Sequence, residues 1–93
     1  MARANQTEAE TKLHGACGGM KAIIKRLENS IKNQKRILDQ LRANLKKLES
    51  KPKPDTAQIN ALKRTISQME EQLRKDEEAL SELQAVFSEN CSS

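Results

Sequence analysis

Two prolines within three residues, in the stretch Ser50-Lys51-Pro52-Lys53-Pro54-Asp55, separate two long segments of heptad repeat. Each proline fixes φ near −65° and brings no amide hydrogen, so a helix arriving from the N-terminal side must end there. Asp55 is placed to cap a new helix, and Gln58, three residues on, completes the spacing of a capping box. A connection this short folds its two helices back antiparallel.

The segments on either side carry the pattern that such a fold needs. Met20, Ile24, Leu27, Ile31, Gln34, Leu38, Leu41, Leu45 and Leu48 are spaced alternately four and three residues apart. Ile59, Leu62, Ile66, Met69, Leu73, Asp76, Leu80, Leu83 and Phe87 repeat the rule. Apolar residues at this spacing lie on one helical stripe and form a coiled-coil seam. With Ile24 at position a, each segment has one polar exception, Gln34 and Asp76. No alternation of period two competes. The fold class is therefore all-α: an antiparallel two-helix coiled-coil hairpin, with association into a four-helix assembly as a further option. Expected bounds are a helix over 20–50, a proline loop over 51–55 and a helix over 56–89, making one hairpin domain over 20–90.

Residues 1–19 have a weaker pattern. Thr7 and Glu10 have capping-box spacing, and Gly15, Gly18 and Gly19 follow, each costing roughly 1 kcal/mol relative to alanine inside a helix. Two readings stand: a flexible or partly helical arm, or a helix continuous from residue 7 that keeps Leu13 and Cys17 in the downstream register.

Folding at the loop sets Leu48 opposite Ile59, and from there Leu45 meets Leu62, Leu41 meets Ile66, Leu38 meets Met69 and Met20 meets Phe87. The e positions then face each other as Glu49 with Lys63, Arg42 with Glu70, and Lys35 with Glu77, each pair opposite in sign. Such exposed pairs contribute only about 0.2–1 kcal/mol each, so they set register more than strength. The g positions on the other flank carry no charge: Ile23, Ser30, Ile37 and Asn44, with Thr65, Gln72, Ala79 and Val86. Ile23 and Val86 either widen the intramolecular seam or, with Ile37, Gln72 and Ala79, form a docking flank for a second copy or a foreign amphipathic helix. Of the two polar seam residues, Asp76 is expected to reach solvent or to meet Lys32 or Lys35, because a buried carboxylate without a partner is costly. Polar seam residues of this kind either fix register or mark an imperfect seam.

Composition limits what else the chain can be. Among 93 residues there is one aromatic side chain, Phe87, while 32% are charged, so the interior is a thin seam. Ordering the backbone costs roughly 1–2 kcal/mol per residue, and a hairpin of this size needs a staple or a partner. The register supplies a candidate staple by bringing Cys17 and Cys91 together at the open end. A disulfide there would stabilise by roughly 4 kcal/mol in the chain-entropy picture. Free thiols in a reducing compartment and bridges between hairpins are the alternatives. His14 with these two cysteines makes a poor metal site, lacking a fourth ligand. No metal or cofactor is expected.

Charge is divided between the two segments. Residues 20–51 hold ten Lys/Arg against three acidic residues, and residues 55–89 hold four against eight. A positive rod beside a negative one favours their pairing. Lys25, Arg26, Lys32, Arg36, Lys46 and Lys47 occupy outward b, c and f positions and form a basic stripe, which could give weak, salt-dependent contact with nucleic-acid phosphates. No tryptophan or tyrosine is present for base stacking.

The sequence has no paired nucleophile and base, no phosphate-cradling glycine loop and no hydrophobic run near the roughly 20 residues of a membrane span. The expectation is a non-enzymatic protein–protein interaction or self-assembly module that does not insert in a membrane. Without a leader pattern, a complete chain would be intracellular and cytoplasmic; for a fragment the compartment is open. Asn5-Gln6-Thr7 matches a glycosylation acceptor that only a secreted chain would use.

The layout of helix, proline-bearing turn and helix resembles the Rho-binding repeat of protein-kinase-like effectors and the N-terminal oligomerisation hairpin of hantavirus nucleocapsid proteins. Lys51-Pro52-Lys53-Pro54-Asp55 is similar to the Pro-Asp turns of the latter. The resemblance implies assembly, or docking of a small GTPase, as alternatives, and it carries no functional residue across.

Overall fold

The computed structural model describes residues 2–91, with side chains from residue 16 onward. It consists of α1, Ala2–Glu49, and α2, Thr56–Cys91, with no strand among the described residues. The two helices pack antiparallel into a rod of 78 × 19 × 15 Å.

The turn forms where the sequence forces it. At the end of α1, the Ser50 amide donates to the Lys46 carbonyl at 3.0 Å and the Ser50 hydroxyl donates to the same oxygen at 2.7 Å. The Lys51 amide donates to the Leu48 carbonyl at 3.4 Å, tightening the last turn. Pro52 and Pro54 then prevent any continuation. Asp55 starts α2: its Oδ1 accepts from the Gln58 amide at 3.2 Å, and its carbonyl accepts from the Ile59 amide at 3.0 Å. An aspartate N-cap of this kind contributes about 1 kcal/mol. The turn contains no cis peptide and no left-handed residue, so it needs no glycine.

Helix bounds differ from the sequence expectation at both ends of the hairpin. α1 stops at Glu49 and α2 runs on to Cys91, past residue 89. At its N-terminal end α1 is continuous through Gly15, Gly18 and Gly19, which is the second of the two readings of that region. A Cβ added to Gly18 or Gly19 would meet nothing within 4 Å, so neither glycine is there to permit close packing. Their propensity cost is small against a helix of 48 residues anchored to α2 along most of its length. The Thr7–Glu10 capping pair, the Asn5 acceptor, Leu13 and His14 lie outside the described side chains. Residues 2–16 of α1 extend beyond the point where α2 ends.

Every seam position read from the heptads is buried or half-buried. Depth is not equal across the seam. The five buried residues, Ile24, Ile31, Leu38, Ile59 and Ile66, all occupy a positions, and Leu38 is 1% exposed. All nine d positions, from Met20 to Leu83, are only half-buried. On a helical wheel a lies beside e and d lies beside g. The long e side chains can lay their methylene stems over the a layer, although Leu45, Leu73, Leu80 and Phe87 of that layer are half-buried. The g residues Ser30, Asn44, Thr65 and Ala79 are too short to do the same for d.

Candidate interaction surface

Among the described residues, the cross-helix ion pairs lie along one edge of the hairpin. Lys35 Nζ is 3.6 Å from Glu77 Oε1, Arg42 Nη2 is 3.4 Å from Glu70 Oε2, and Lys63 Nζ is 3.8 Å from Glu49 Oε2. These are the three e–e pairs expected from the register. Arg42 also reaches Asp39 one turn back, at 3.5 Å, which holds its guanidinium over the seam. At the open end the same edge carries Cys17 and Cys91, with sulfurs 2.07 Å apart and Cα atoms 5.8 Å apart. Among the described residues no cysteine is free. Both cysteines are half-buried, with Cys17 at a and Cys91 at e.

The polar residues of the seam meet each other: Asp76 is half-buried with one oxygen toward the exposed edge, as the solvent-reaching alternative expected, and the Lys32 or Lys35 alternative is corrected. Asp76 Oδ2 accepts from Gln34 Nε2 at 2.7 Å and its Oδ1 accepts from Gln72 Nε2 at 2.9 Å; neither Lys32 nor Lys35 reaches it. Gln34 Nε2 also donates to Ser30 Oγ at 3.1 Å. Asp76 thus lies one helical turn from Gln72 and diagonally across from Gln34, so two amide donors do what an ammonium group was expected to do. Gln34 Oε1 is buried with no partner. An unpaired buried acceptor costs roughly 1–3 kcal/mol, so this layer lowers the stability of the seam.

The opposite edge has no charge at its g positions and little cover. Ile23 is 51% exposed and Val86 42% exposed, the two large apolar side chains most open to water. Ile37 and Ala79 are half-buried, and Gln72 is exposed while bonded to Asp76. Beside them runs the half-open d layer: Leu27, Leu41, Leu62, Met69 and Leu83. Near the loop this edge forms an open groove between Asn44, Leu48, Gln58 and Leu62, flanked by Lys47 and Lys51. A strip of apolar side chains bordered mainly by amides and hydroxyls, with the Asp76 carboxylate at its middle and Lys47 and Lys51 at its loop end, can take another apolar helical surface while desolvating few charges. The sequence located the residues of this edge, but not the exposure of the d layer beside it. That signal was present in the short side chains at g.

The outer faces are simpler. The stripe residues Lys25, Arg26, Lys32, Arg36, Lys46 and Lys47 are all exposed. None of the six makes an ion pair among the described residues; Arg36 donates to Asn33 Oδ1 at 2.8 Å. On the back of α2, Arg74 bonds Glu71 and Glu78 within the helix. The hydrogen bond from Arg74, reinforced by its charge, holds the Glu71 carboxyl below its ordinary value. The same pairing with Glu71 raises Arg74.

Among the described residues no group of three or more His, Cys, Asp or Glu side chains is arranged to hold a metal. No helix there is long and apolar enough to cross a membrane. No protein-family model, curated protein or solved structure matches the chain.

Proposed function

We propose that the protein is a non-catalytic interaction module that self-associates along its uncharged edge. The observation that carries this reading is the depth of the seam: all nine d positions stay half open on the side where g carries no charge, against four of the nine a positions, Leu45, Leu73, Leu80 and Phe87. Covering those side chains is favourable at about 25 cal/mol per Å² of apolar surface. Doing so along this edge would sacrifice none of the ion pairs, which lie on the other side.

Sedimentation equilibrium of the oxidised chain tests the reading. Association should appear as concentration rises, disappear in Ile23→Lys/Val86→Lys, and survive in Gln84→Lys, a charge added at an e position of the opposite edge. Association indifferent to Ile23 and Val86, or none at all, would overturn it. A foreign amphipathic helix, including one on a small GTPase, would compete for the same edge and leave the isolated chain monomeric.

The unpaired basic stripe favours a second reading, contact with nucleic-acid phosphates. Its test is a salt titration: binding that is gone by about 0.15 M salt would reduce it to non-specific attraction.

A further inference from the structure

We infer that the partner is a second copy of this chain, related by a two-fold axis parallel to the rod, so that both proline loops lie at the same end. This rests on the self-association reading above and specifies its geometry.

Two hairpins laid edge to edge on their g sides can be related in two ways. A two-fold axis along the rod sets α1 over α2 of the second copy, with the loops together. An axis across the rod sets α1 over α1 and α2 over α2, with the loops apart. Both arrangements bring the polar layer of Gln34, Gln72 and Asp76 near its own copy, because that layer sits midway between the loop and Met20. Three other features separate them.

The first is charge along the rods. Ten cations against three anions over residues 20–51 face four against eight over residues 55–89. With the loops together, each positive helix lies on the second copy's negative helix. With the loops apart, like lies on like, which costs rather than stabilises.

The second is the apolar pattern of the edge. An axis along the rod keeps every residue at its own height, so exposed Ile23 and Val86 meet Ile23 and Val86 of the second copy. Reversing the rod would set them against the level of Asn44 and Thr65, leaving apolar groups on polar ones.

The third is the border of the contact. Position c lies next to g on the helical wheel, so c residues of α1 face c residues of the second copy's α2. At equal heights these are Gly19 with Glu89, Arg26 with Glu82, Asn33 with Lys75, Gln40 with Gln68 and Lys47 with Ala61. None repels, and Arg26 meets Glu82, its opposite in charge. Neither Arg26 nor Glu82 has an ion-pair partner within the described hairpin. The intramolecular ladder pairs three e positions on each helix and leaves this pair for a neighbour.

The experiment is a charge exchange in the full oxidised chain, read by sedimentation equilibrium. The wild-type chain should reach twice its 10.5 kDa mass. Arg26→Glu alone and Glu82→Arg alone each create two like-charge contacts per dimer and should weaken it about tenfold. The double exchange should restore it to near the wild-type dissociation constant. Helicity by circular dichroism should be unchanged in all three, because both positions are exposed. A second measurement fixes orientation: spin labels on Lys53→Cys should lie within about 30 Å in a loops-together dimer, against about 50 Å with the loops apart. A dimer with the longer separation, or a double exchange no tighter than the weaker single, would overturn the arrangement while leaving self-association standing. A chain that stays at 10.5 kDa at every concentration would overturn both.

Discussion

The two edges of this hairpin share one backbone geometry and one heptad register, yet they do different work. The e edge is tied: three ion pairs and the Cys17–Cys91 pair cross it, and the five buried side chains among the described residues are a residues beneath it, although Leu45, Leu73, Leu80 and Phe87 in the same layer are half-buried. The g edge has no ion pair across it, and the d side chains beneath it remain half exposed. The difference comes from side-chain length as much as from charge. Lysine, arginine and glutamate reach over the seam and cover it with their stems. Serine, alanine, asparagine and threonine do not. The e edge is thus tied from Lys35 to the loop and opens as a groove between Ile24, Glu28, Gln84 and Phe87 nearer the cysteines, while the g edge carries no cross-helix ion pair among the described residues.

The largest way to break the comparison is to untie the covalent end of the closed edge. The bond spans 74 residues of sequence, for which chain entropy gives roughly 4 kcal/mol. Thermal melting with and without reductant should show a large drop in midpoint, reproduced by Cys17→Ser/Cys91→Ser and insensitive to reductant in that variant. An unchanged midpoint would mean that the open end is held by packing alone.

Truncation on either side of the seam sharpens the comparison. Leu38→Ala removes a side chain 1% exposed and should cost about 3 kcal/mol, within the usual range for a buried leucine. Leu41→Ala, at a half-buried d position three residues away, should cost roughly half of that in dilute monomer. Urea denaturation of the two variants gives the ratio, and equal costs would erase the distinction between the layers.

The smallest effect belongs to the ladder. A double-mutant cycle on Arg42 and Glu70, which lie half exposed, should return about 0.5 kcal/mol and vanish in high salt. A coupling several times larger would make the ion pairs a source of strength and not of alignment.

What could be read from the sequence was whatever depends on periodicity. Alternating steps of four and three fix the seam, the antiparallel fold at two prolines fixes the register, and the register pairs Arg42 with Glu70 and Cys17 with Cys91. Asp55 was legible as a cap because its role depends only on the next three residues. The partners of Asp76 were not, because they depend on which rotamer lets Gln34 reach diagonally across the seam. Nor was the course of α1 through its glycines. Propensity gives the cost of Gly18 and Gly19 but not the packing downstream that offsets it. The unequal depth of the a and d layers lay between these cases: the residues that cause it were visible, but their coverage needed the fold.

The most direct test of the open edge is side-chain accessibility by methyl NMR with a soluble paramagnetic probe, followed across protein concentration. In dilute solution we expect the probe to broaden the methyls of Ile23, Leu27, Leu41, Leu83 and Val86, and to spare those of Ile24, Ile31, Leu38 and Ile66. At high concentration the first group should become protected while Ala22 and Ala85 on the outer faces stay accessible. Equal broadening of both groups in dilute solution, or protection that first appears away from Ile23 and Val86, would contradict the assignment of this edge as the working surface.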